Sequence, residues 1–305
     1  MPTLRQLKAL NLIAQTGSFT RAAERLFVTQ SAVSALIREL EDEVGVALVQ
    51  RGRVISLTEA GVLLDRAGNR ADQEINRALR EIQEAREGDG ETVLRVAAGS
   101  LSAATLLPTV IARLRDLEPR LKIILFDRPV GMLGDMLLSG EADVAVGSVD
   151  SPLRLSGQLQ CTLLFDDRIS VVCARASDLG ERAARAGGLS WYDLRDAELV
   201  LVGRANGQWN LLLQDQMALH EGLRIGHEVQ LLSTALELVR LDLGVAVLPA
   251  FATRQLDAAS FHVAPLLQTS ASWKVYFVTR SADGPTGRDR YYGMLRAQLA
   301  EAAGR

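Results

Sequence analysis

Residues 18–45 contain two helix-forming patterns that are separated by a three-residue break, Phe27-Val28-Thr29. The first pattern is short and rich in alanine. The second begins at Thr29, a residue type that often caps helices, and then places apolar side chains at helical spacing. These apolar positions are Val33, Leu36, Ile37 and Leu40. Two short helices joined by a tight turn, the second with a polar outer face, predict a helix-turn-helix that binds DNA.

The polar face of the second helix supplies residues that we expect to meet DNA. Glutamine can pair with adenine and arginine with guanine in the major groove, whereas serine tolerates several bases. Farther along, two β-type runs flank Arg51-Gly52-Arg53 and predict a small wing whose basic tip suits phosphate or minor-groove contact. The predicted DNA-binding residues are Thr29, Gln30, Ser31, Ser34, Arg38, Arg51 and Arg53. For Gln30 and Arg38 the alternative is an ordinary solvated helix face.

The charge of the whole chain, formally −3 at pH 7, does not by itself suggest a nucleic-acid partner. Residues 1–56 contain seven basic and five acidic side chains, so this segment is weakly basic. Four of the acidic residues lie at 39–43, after Arg38. We expect that end of the second helix to point away from DNA, because the position of the charges matters more than their sum.

A long helix is predicted from residue 59 to about residue 87, after a capping Thr58. Apolar residues recur along it at heptad spacing, as in a coiled coil. The members of this seam are Leu64, Ala71, Ile75, Ala78, Ile82 and Ala85. Because a lone helix would leave such a stripe partly exposed, we expect dimerisation. The alternative is a helix that packs only on its own domain.

Short apolar runs alternate with helical patterns after a break at Gly88-Asp89-Gly90. This alternation predicts an α/β fold, with a parallel sheet covered by helices. The predicted helices lie at 105–117, 131–139, 208–221, 233–242 and 288–302. No apolar run is long enough to span a membrane, and the N-terminus lacks a secretion pattern. We therefore expect a cytoplasmic protein with no membrane partner.

Several segments, in their order and spacing, resemble the LysR-type transcriptional regulators along essentially the whole chain. They are LRQLKAL (4–10), GSFTRAAERLFVTQSAVSALIRELE (17–41), LTEAG (57–61), LLPTVIARL (106–114), GEADVAVG (140–147) and GVAVLP (244–249). Together these motifs are far more specific than any one of them. The resemblance implies a ligand-responsive, sequence-specific DNA-binding transcriptional regulator, in which a small effector bound between two lobes alters promoter binding.

The family resemblance also implies a domain organisation: an α/β effector domain with two lobes, shaped like a solute-binding protein, after a winged helix-turn-helix and a linker helix. We expect the DNA-binding domain at 1–58, the dimerising linker helix at 59–88 and the effector domain at 92–305. Lobe one would comprise 92–164 and 268–305, and lobe two 165–267. The expected partners are double-stranded promoter DNA, a small-molecule effector and further copies of the chain, as a homodimer and then a homotetramer. RNA polymerase is a further candidate partner, and no cofactor is expected.

Polar groups at strand ends predict where an effector binds, because ligands of open parallel sheets gather outside the carboxyl ends of the strands. Ser102 and Ser233 are expected to start helices, whose N-termini offer free N–H groups to an anion, and arginines add bidentate contacts. We therefore expect a small anionic or polar organic effector. The predicted effector-binding residues are Ser100, Ser102, Arg128, Val149, Gly203, Arg204 and Ser233. The alternatives are serines that only cap helices and arginines that are only surface charges.

The two cysteines, Cys161 and Cys173, lie on either side of Asp166-Asp167-Arg168. A hairpin at this turn would let the thiols face each other, which would permit a redox switch. Two buried thiols in a reducing compartment are the favoured reading. The histidines, His220, His227 and His262, lack the spacing of metal ligands, so no metal site is expected.

Three other classes of function compete with a regulator. A transport-type solute-binding protein would need an export signal and would have no use for residues 1–88. An enzyme is disfavoured because the chain lacks GxSxG, GxxxxGK[ST] and HExxH motifs and paired zinc-type cysteines. A structural nucleoid-type DNA binder with a vestigial cleft stays open. An effector-dependent change in DNA binding would separate it from a ligand-responsive regulator.

Overall fold

A computed structural model of the chain describes residues 1–50, 52, 55–87, 92–148, 157, 159–202, 222–281 and 288–304. Within 59–87, the side chains of residues 73, 77, 80, 81 and 83–87 lie outside this description. The chain divides into two compact units: Met1–Glu87 with Leu138–Gly140, and Gly88–Leu137 with Glu141–Arg305. The boundaries expected for the domains and lobes stay a prediction.

The first unit consists of four helices and a two-stranded hairpin. Its elements are α1 (Leu4–Thr16), α2 (Phe19–Leu26), α3 (Gln30–Val44), β1 (Val49–Gln50), β2 (Ser56–Leu57) and α4 (Glu59–Glu87). The strands pair antiparallel, with Val49 opposite Leu57. The predicted pair of short helices, the wing and the long helix are therefore confirmed as elements of secondary structure. Arg51 and Arg53, at the predicted wing tip, lie outside the described residues.

Capping residues determine where the short helices begin and end. Each of α1, α2 and α3 starts after a hydroxyl side chain that accepts a hydrogen bond from a backbone N–H of the first turn. These caps are Thr3, Ser18 and Thr29. Helices α1 and α3 end at left-handed glycines, Gly17 and Gly45. Helix α2 ends at Phe27, which adopts the same left-handed conformation (φ 54°) although it is not glycine.

The core of the first unit is formed by the apolar stripes of α1, α2 and α3. Its fully buried side chains are Ala9, Leu10, Ile13, Ala22, Val33, Ile37, Leu40 and Leu48. Each buried leucine or isoleucine contributes about 1.5–3 kcal/mol relative to exposure. Of the four predicted apolar positions of α3, Val33, Ile37 and Leu40 belong to this cluster and Leu36 packs against it, so the opposite face of the helix is left toward solvent.

The second unit alternates strands with helices. Its elements are β3 (Thr92–Gly99), α5 (Ser100–Thr105), α6 (Leu107–Leu117), β4 (Leu121–Arg128), α7 (Val130–Leu138), β5 (Val144–Gly147), β6 (Leu159–Asp167), β7 (Ile169–Ala174), α8 (Asp178–Ala186), β8 (Glu198–Val202), β9 (Arg224–Val229), α9 (Leu232–Arg240), β10 (Ala246–Pro249), β11 (Phe261–Pro265), β12 (Trp273–Arg280) and α10 (Asp289–Ala303). Short 3-10 turns lie at Trp191–Leu194 and Ala250–Ala252.

The strands of the second unit form two groups. A five-stranded sheet has the order β4-β3-β5-β12-β6; β3 is parallel to β4 and β5, and β12 runs antiparallel to both of its neighbours. The other group pairs β7 antiparallel with β10 and β11, and β8 parallel with β9. A parallel bridge between Leu199 and Val245 connects the segments that contain β8 and β10.

The α/β expectation is confirmed, with three differences in detail. The five-stranded sheet is mixed rather than parallel, because β12 lies antiparallel between β5 and β6, and the sheet of β10, β7 and β11 is antiparallel. Helix α5 begins directly at Ser100, so Ser102 lies inside its first turn instead of opening the helix. Helix α8 and strand β11 were not predicted. The helix predicted at 208–221 lies outside the described residues.

The hairpin that would let the two cysteines face each other does not form. Cys161 lies in β6, opposite Val278, whereas Cys173 lies in β7, opposite His262. The two thiols therefore belong to different sheets, and neither is in a disulfide. Burial, together with the negative charge of Asp242, raises the pKa of the Cys173 thiol to about 12.

This pKa predicts unequal reactivity of the two thiols. A thiol reagent such as DTNB at pH 8 should leave Cys173 unmodified in the native chain, because its thiolate is scarce and the side chain is buried. Cys161, which is half-buried, should account for all the native reaction, and both thiols should react in urea. The variant Cys173→Ser serves as the control and should retain the native reaction. Equal and rapid modification of both thiols in the native chain would contradict this prediction.

Candidate nucleic-acid interface and effector cleft

The start of α3 is held by Thr29. Its hydroxyl accepts a hydrogen bond from the Ala32 N–H (3.2 Å) and lies 2.9 Å from the Ser31 hydroxyl. The helix therefore begins at Gln30 with its first turn fixed, and the free N–H groups of that turn carry the positive end of the helix dipole. A rigid first turn with this polarity suits contact with DNA.

The structure brings the predicted residues of α3 onto one outward face. Gln30, Ser31 and Arg38 are exposed and Ser34 is half-buried, while Val33, Ile37 and Leu40 on the other side are fully buried. Gln30, Ser34 and Arg38 follow one another at intervals of four residues, so they form one row along the helix. Their contact with bases, and that of Arg51 and Arg53, stays a prediction.

Phe27 is a feature of this surface that the sequence reasoning missed. It is 94% exposed in the turn just before α3, where its left-handed backbone directs the chain from α2 into α3. A large aromatic side chain is rarely left this exposed. Its place in the break between two helical patterns was visible in the sequence, but its exposure depends on the fold of the turn.

Glu41 ties the wing to α3. One of its carboxylate oxygens accepts hydrogen bonds from the backbone N–H groups of Leu48 (2.8 Å) and Val49 (3.1 Å). The other acidic residues of 39–43 were expected to point away from DNA, and Glu39, Asp42 and Glu43 are exposed. Glu41 is half-buried and differs from them in this role, which the sequence reasoning missed.

The same wing segment is also held from the linker side. The Thr58 N–H donates to the Leu48 carbonyl (2.9 Å), and the Thr58 hydroxyl donates to the Ala47 carbonyl (2.8 Å). At Gly61, a Cβ atom would lie 2.1 Å from the Leu48 carbonyl oxygen, so only glycine allows α4 to approach this closely. The segment 47–49 is thus fixed between α3 and α4.

The first part of helix α4 packs against the other helices of the first unit. Leu64 packs on the core of the first unit, and Gly68 approaches Leu7 of α1. Asn11 and Asn69 donate hydrogen bonds to the Asp65 carboxylate (3.1 and 3.2 Å). Burial raises the pKa of the Asp65 carboxyl, and these hydrogen bonds oppose the rise.

Farther along α4, three apolar side chains are left uncovered by the residues that the structure describes. Ile75 is exposed, and Leu79 and Ile82 are 58% and 57% exposed. These positions are four and three residues apart, so they share one face of the helix. Packing on its own unit therefore accounts for the first part of the seam but not for residues 75–82.

Two of the predicted effector residues meet at one small cavity. Ser100 and Ser102 line it, and Ser102 is only 3% exposed. Sequence reasoning missed the other lining residues, which are Gly99, Leu101, Val130, Gly147, Ser148 and Trp273. The space open to the centre of a water molecule is about 10 Å³, close to the ~10–15 Å³ that holds one water. An effector larger than water would have to widen it.

The remaining predicted effector residues do not line this cavity. Arg128 is exposed, donates to the Asp127 carbonyl (3.0 Å) and lies over the Phe126 ring. Ser233 is exposed at the second position of α9, and Leu231 rather than a serine occupies the cap. Val149, Gly203 and Arg204 lie outside the described residues. Ser100 does not cap its helix either, since Gly99 holds that position without a side-chain hydrogen bond.

Across the described residues, no group of three or more histidine, cysteine, aspartate or glutamate side chains could hold a metal ion. In the same part of the chain, every helix is too short or too polar to cross a membrane.

Two family models match the chain. The model described as "Bacterial regulatory helix-turn-helix protein, lysR family" matches residues 4–62, and "LysR substrate binding domain" matches residues 87–290. The chain belongs to the LysR family of transcriptional regulators. This family consists of effector-responsive, DNA-binding regulators rather than enzymes. The family assignment therefore excludes the enzyme and the transport protein that the sequence analysis considered.

Individual proteins agree with this assignment. A relative from Shigella flexneri, named "Uncharacterized HTH-type transcriptional regulator YfeR", is 32% identical over 254 residues, which cover 82% of this chain and 79% of the relative. A full-length OxyR variant from Pseudomonas aeruginosa has a TM-score of 0.62 at 22% identity and covers 98% of both chains. Full-length CbnR complexed with its target DNA has a TM-score of 0.56 at 21% identity, over 98% of this chain and 99% of CbnR. At these identities the two structures show a shared fold.

The anchoring of the wing by Glu41 generates a prediction. Replacing Glu41 with alanine should lower the free energy of unfolding by about 1.5–3 kcal/mol, because two buried backbone N–H groups lose a charged acceptor. The affinity for DNA should fall as well, since the wing loses its attachment to α3. Urea unfolding and fluorescence anisotropy on a bound duplex would measure the two effects.

Two matched variants separate this role from a general effect of charge. Glu41→Gln keeps an acceptor oxygen and should recover much of the loss, whereas Glu39→Ala removes an exposed charge from the same helix and should change little. Equal behaviour of Glu41→Ala and Glu39→Ala would contradict the prediction.

Proposed function

We propose that this regulator reads promoter DNA with α3 and that a small anionic effector in the second unit changes how it binds. The DNA proposal rests on one observation: helix α3 is amphipathic. On its apolar face Val33, Ile37 and Leu40 are fully buried, while Gln30, Ser31 and Arg38 are exposed along the other face. Such a helix can enter a major groove without losing its packing.

Each residue of this face has a proposed task. Gln30 and Arg38 supply the side chains that discriminate bases, as donors and acceptors to adenine and as donors to guanine respectively. Ser31 and Ser34 permit close approach, Thr29 fixes the first turn, and Arg51 and Arg53 bind the backbone or the minor groove. The CbnR structure, which contains target DNA, supports docking of a protein of this fold on DNA.

The effector proposal rests on the cavity at the start of α5. Ser100 and Ser102 bring hydroxyl groups to the first turn of a helix at the carboxyl end of β3, where backbone N–H groups favour an anion. We include Arg128, Val149, Gly203, Arg204 and Ser233 as residues that would approach the effector when the cleft opens. Helix α5 contacts α9 and the turn Ala250–Ala252, so widening the cavity would move these elements.

We further propose the domain boundaries and the oligomeric state of this regulator. Residues 1–58 form the DNA-binding domain, 59–88 the dimerising linker helix, and 92–305 the effector domain with lobes at 92–164 plus 268–305 and at 165–267. The exposed apolar side chains of α4 support a homodimer through the linker helix. A homotetramer, contact with RNA polymerase and a cytoplasmic location complete this proposal.

A nucleoid-type binder with a vestigial cleft is the second candidate. The observation in its favour is the size of the Ser100–Ser102 cavity, which has room for about one water molecule. The two candidates differ in one respect: only a ligand-responsive regulator changes its footprint when an effector is added.

The DNA proposal predicts the effect of Arg38→Ala and Gln30→Ala. Each change should weaken binding to the specific site by about 1–3 kcal/mol and relax base preference at one position. Footprinting on the DNA upstream of the regulator's own gene identifies the site, and titration on that duplex measures the loss. Lys122→Ala, an exposed cation of the second unit, is the control and should bind normally.

The same footprints test the effector. A protected, roughly two-fold-symmetric site whose extent changes with one small carboxylate or phosphate supports the full proposal. Protection that no such anion alters favours the nucleoid-type candidate. An absence of protection at low salt would overturn DNA binding through α3.

The exposed apolar face of α4 predicts the outcome of Ile82→Asp. A charge at this position should disfavour a dimer that buries it and shift the full-length chain toward monomer in sedimentation velocity. Asn76→Asp places the same charge on a polar exposed position of the same helix and should leave the distribution unchanged. Dimers of unaltered stability in Ile82→Asp would show that α4 is not the interface.

A further inference from the structure

A second cavity lies in the second unit, between the edge of the five-stranded sheet and helix α10. Its volume is about 250 Å³, measured as the space open to the centre of a water molecule. This volume is more than ten times what one water needs and is slightly below the ~300 Å³ at which sites for drug-sized ligands begin. None of its lining residues belongs to the Ser100–Ser102 cavity. We call it the α10 cavity.

The floor of the α10 cavity is polar and only partly covered by the helix, since Gln160 is exposed and Thr162 and Thr279 are half-buried. Thr162 pairs with Phe277 and Gln160 pairs with Thr279 across β6 and β12, so these four side chains form one block on the same face. A sheet face that is covered by a helix normally presents apolar side chains. Here three of the four neighbours carry hydroxyl or amide groups, and only Phe277 is apolar.

Helix α10 covers this floor incompletely. Leu295 and Leu299 are fully buried in the core, which holds the helix on the sheet. Its first turns present Tyr292, Gly293 and Arg296 to the cavity. A Cβ atom added at Gly293 would meet nothing within 4 Å, so the helix leaves an open space where another residue would place a side chain.

The polar groups of the floor and of Arg296 are available to a ligand. In the part of the chain that the structure describes, the side chains of Gln160, Thr162, Thr279 and Arg296 have no hydrogen bond or ion pair. Arg280, at the rim, is fixed in place because its Nη1 donates to the carbonyls of Leu137 (2.7 Å) and Ala142 (3.3 Å). Asp289 also lines the rim, so two arginines face one carboxylate and the lining is positively charged overall.

We propose that the α10 cavity binds a small polar organic anion, a carboxylate or a phosphate, at a site separate from the effector cleft. Arg296 pairs with the anionic group, since guanidinium groups bind carboxylate and phosphate through two parallel hydrogen bonds. The hydroxyls of Thr162 and Thr279 and the amide of Gln160 bind further oxygens of the ligand, and Phe277 packs beneath it. Asp289 disfavours anions whose charge extends to the rim.

Such a ligand would stabilise the attachment of α10 to β6 and β12, because it binds groups on both. The site does not depend on the proposed effector cleft or on any change in DNA binding. It is therefore testable by direct binding to the full-length protein.

The experiment measures binding of two probes, citrate and inorganic phosphate, to the full chain by isothermal titration calorimetry at constant ionic strength. Gly293→Leu fills the open space, and Arg296→Gln removes the charge. We expect saturable binding of at least one probe and a loss of tenfold or more in affinity for both variants. Their circular dichroism and melting temperatures would establish that both are folded.

Two control variants test whether the loss is specific. Arg115→Gln removes an exposed arginine of α6 that does not line the cavity, so it should bind like the parent chain. Gly293→Ala leaves most of the space open and should weaken binding far less than Gly293→Leu. The proposal is overturned if neither probe binds, or if binding survives both Gly293→Leu and Arg296→Gln.

Discussion

The peptide segment around Leu48 connects the parts of the first unit that have to act together on DNA. Its N–H groups bind the Glu41 carboxylate of α3, its carbonyl binds the Thr58 N–H, and its side chain is fully buried in the core. Gly61 brings the start of α4 against the same carbonyl. The recognition helix, the wing and the linker helix therefore share one fixed point, and a displacement of any of them strains the other two.

The second unit contains two cavities that differ in their lining and in how open they are. At the Ser100–Ser102 cavity, the carboxyl end of β3 meets the start of a helix, and the space is nearly closed. At the α10 cavity, polar side chains replace apolar ones under a helix that lacks a side chain at Gly293, and the space is already open. Occupation of the first requires a rearrangement of α5 and its neighbours, whereas the second needs none.

The features that the sequence predicted are those that depend on neighbours along the chain. The spacing of Val33, Ile37 and Leu40 identifies α3 and its outward face, because a helix brings together residues three and four apart. The bond between Glu41 and Leu48 was not predictable, since it depends on where the wing folds back. The pairing of Thr162 with Phe277 joins residues more than a hundred positions apart and requires β12 to insert beside β6. Arg128 and Ser233 were assigned from strand and helix ends alone, which do not reveal where a side chain points.

The two halves of α4 have a consequence for binding at low protein concentration. Leu64 packs on the core of the first unit within one chain, whereas Ile75, Leu79 and Ile82 are exposed. In the proposed homodimer these exposed side chains meet a second chain, so dilution would separate the two chains without opening the core of the first unit. Because two linked recognition helices would bind a two-fold-symmetric site with a high effective concentration, their separation would make DNA occupancy fall roughly with the square of protein concentration. The apolar face of the linker helix would thus set the cellular abundance at which the regulator begins to occupy its promoter.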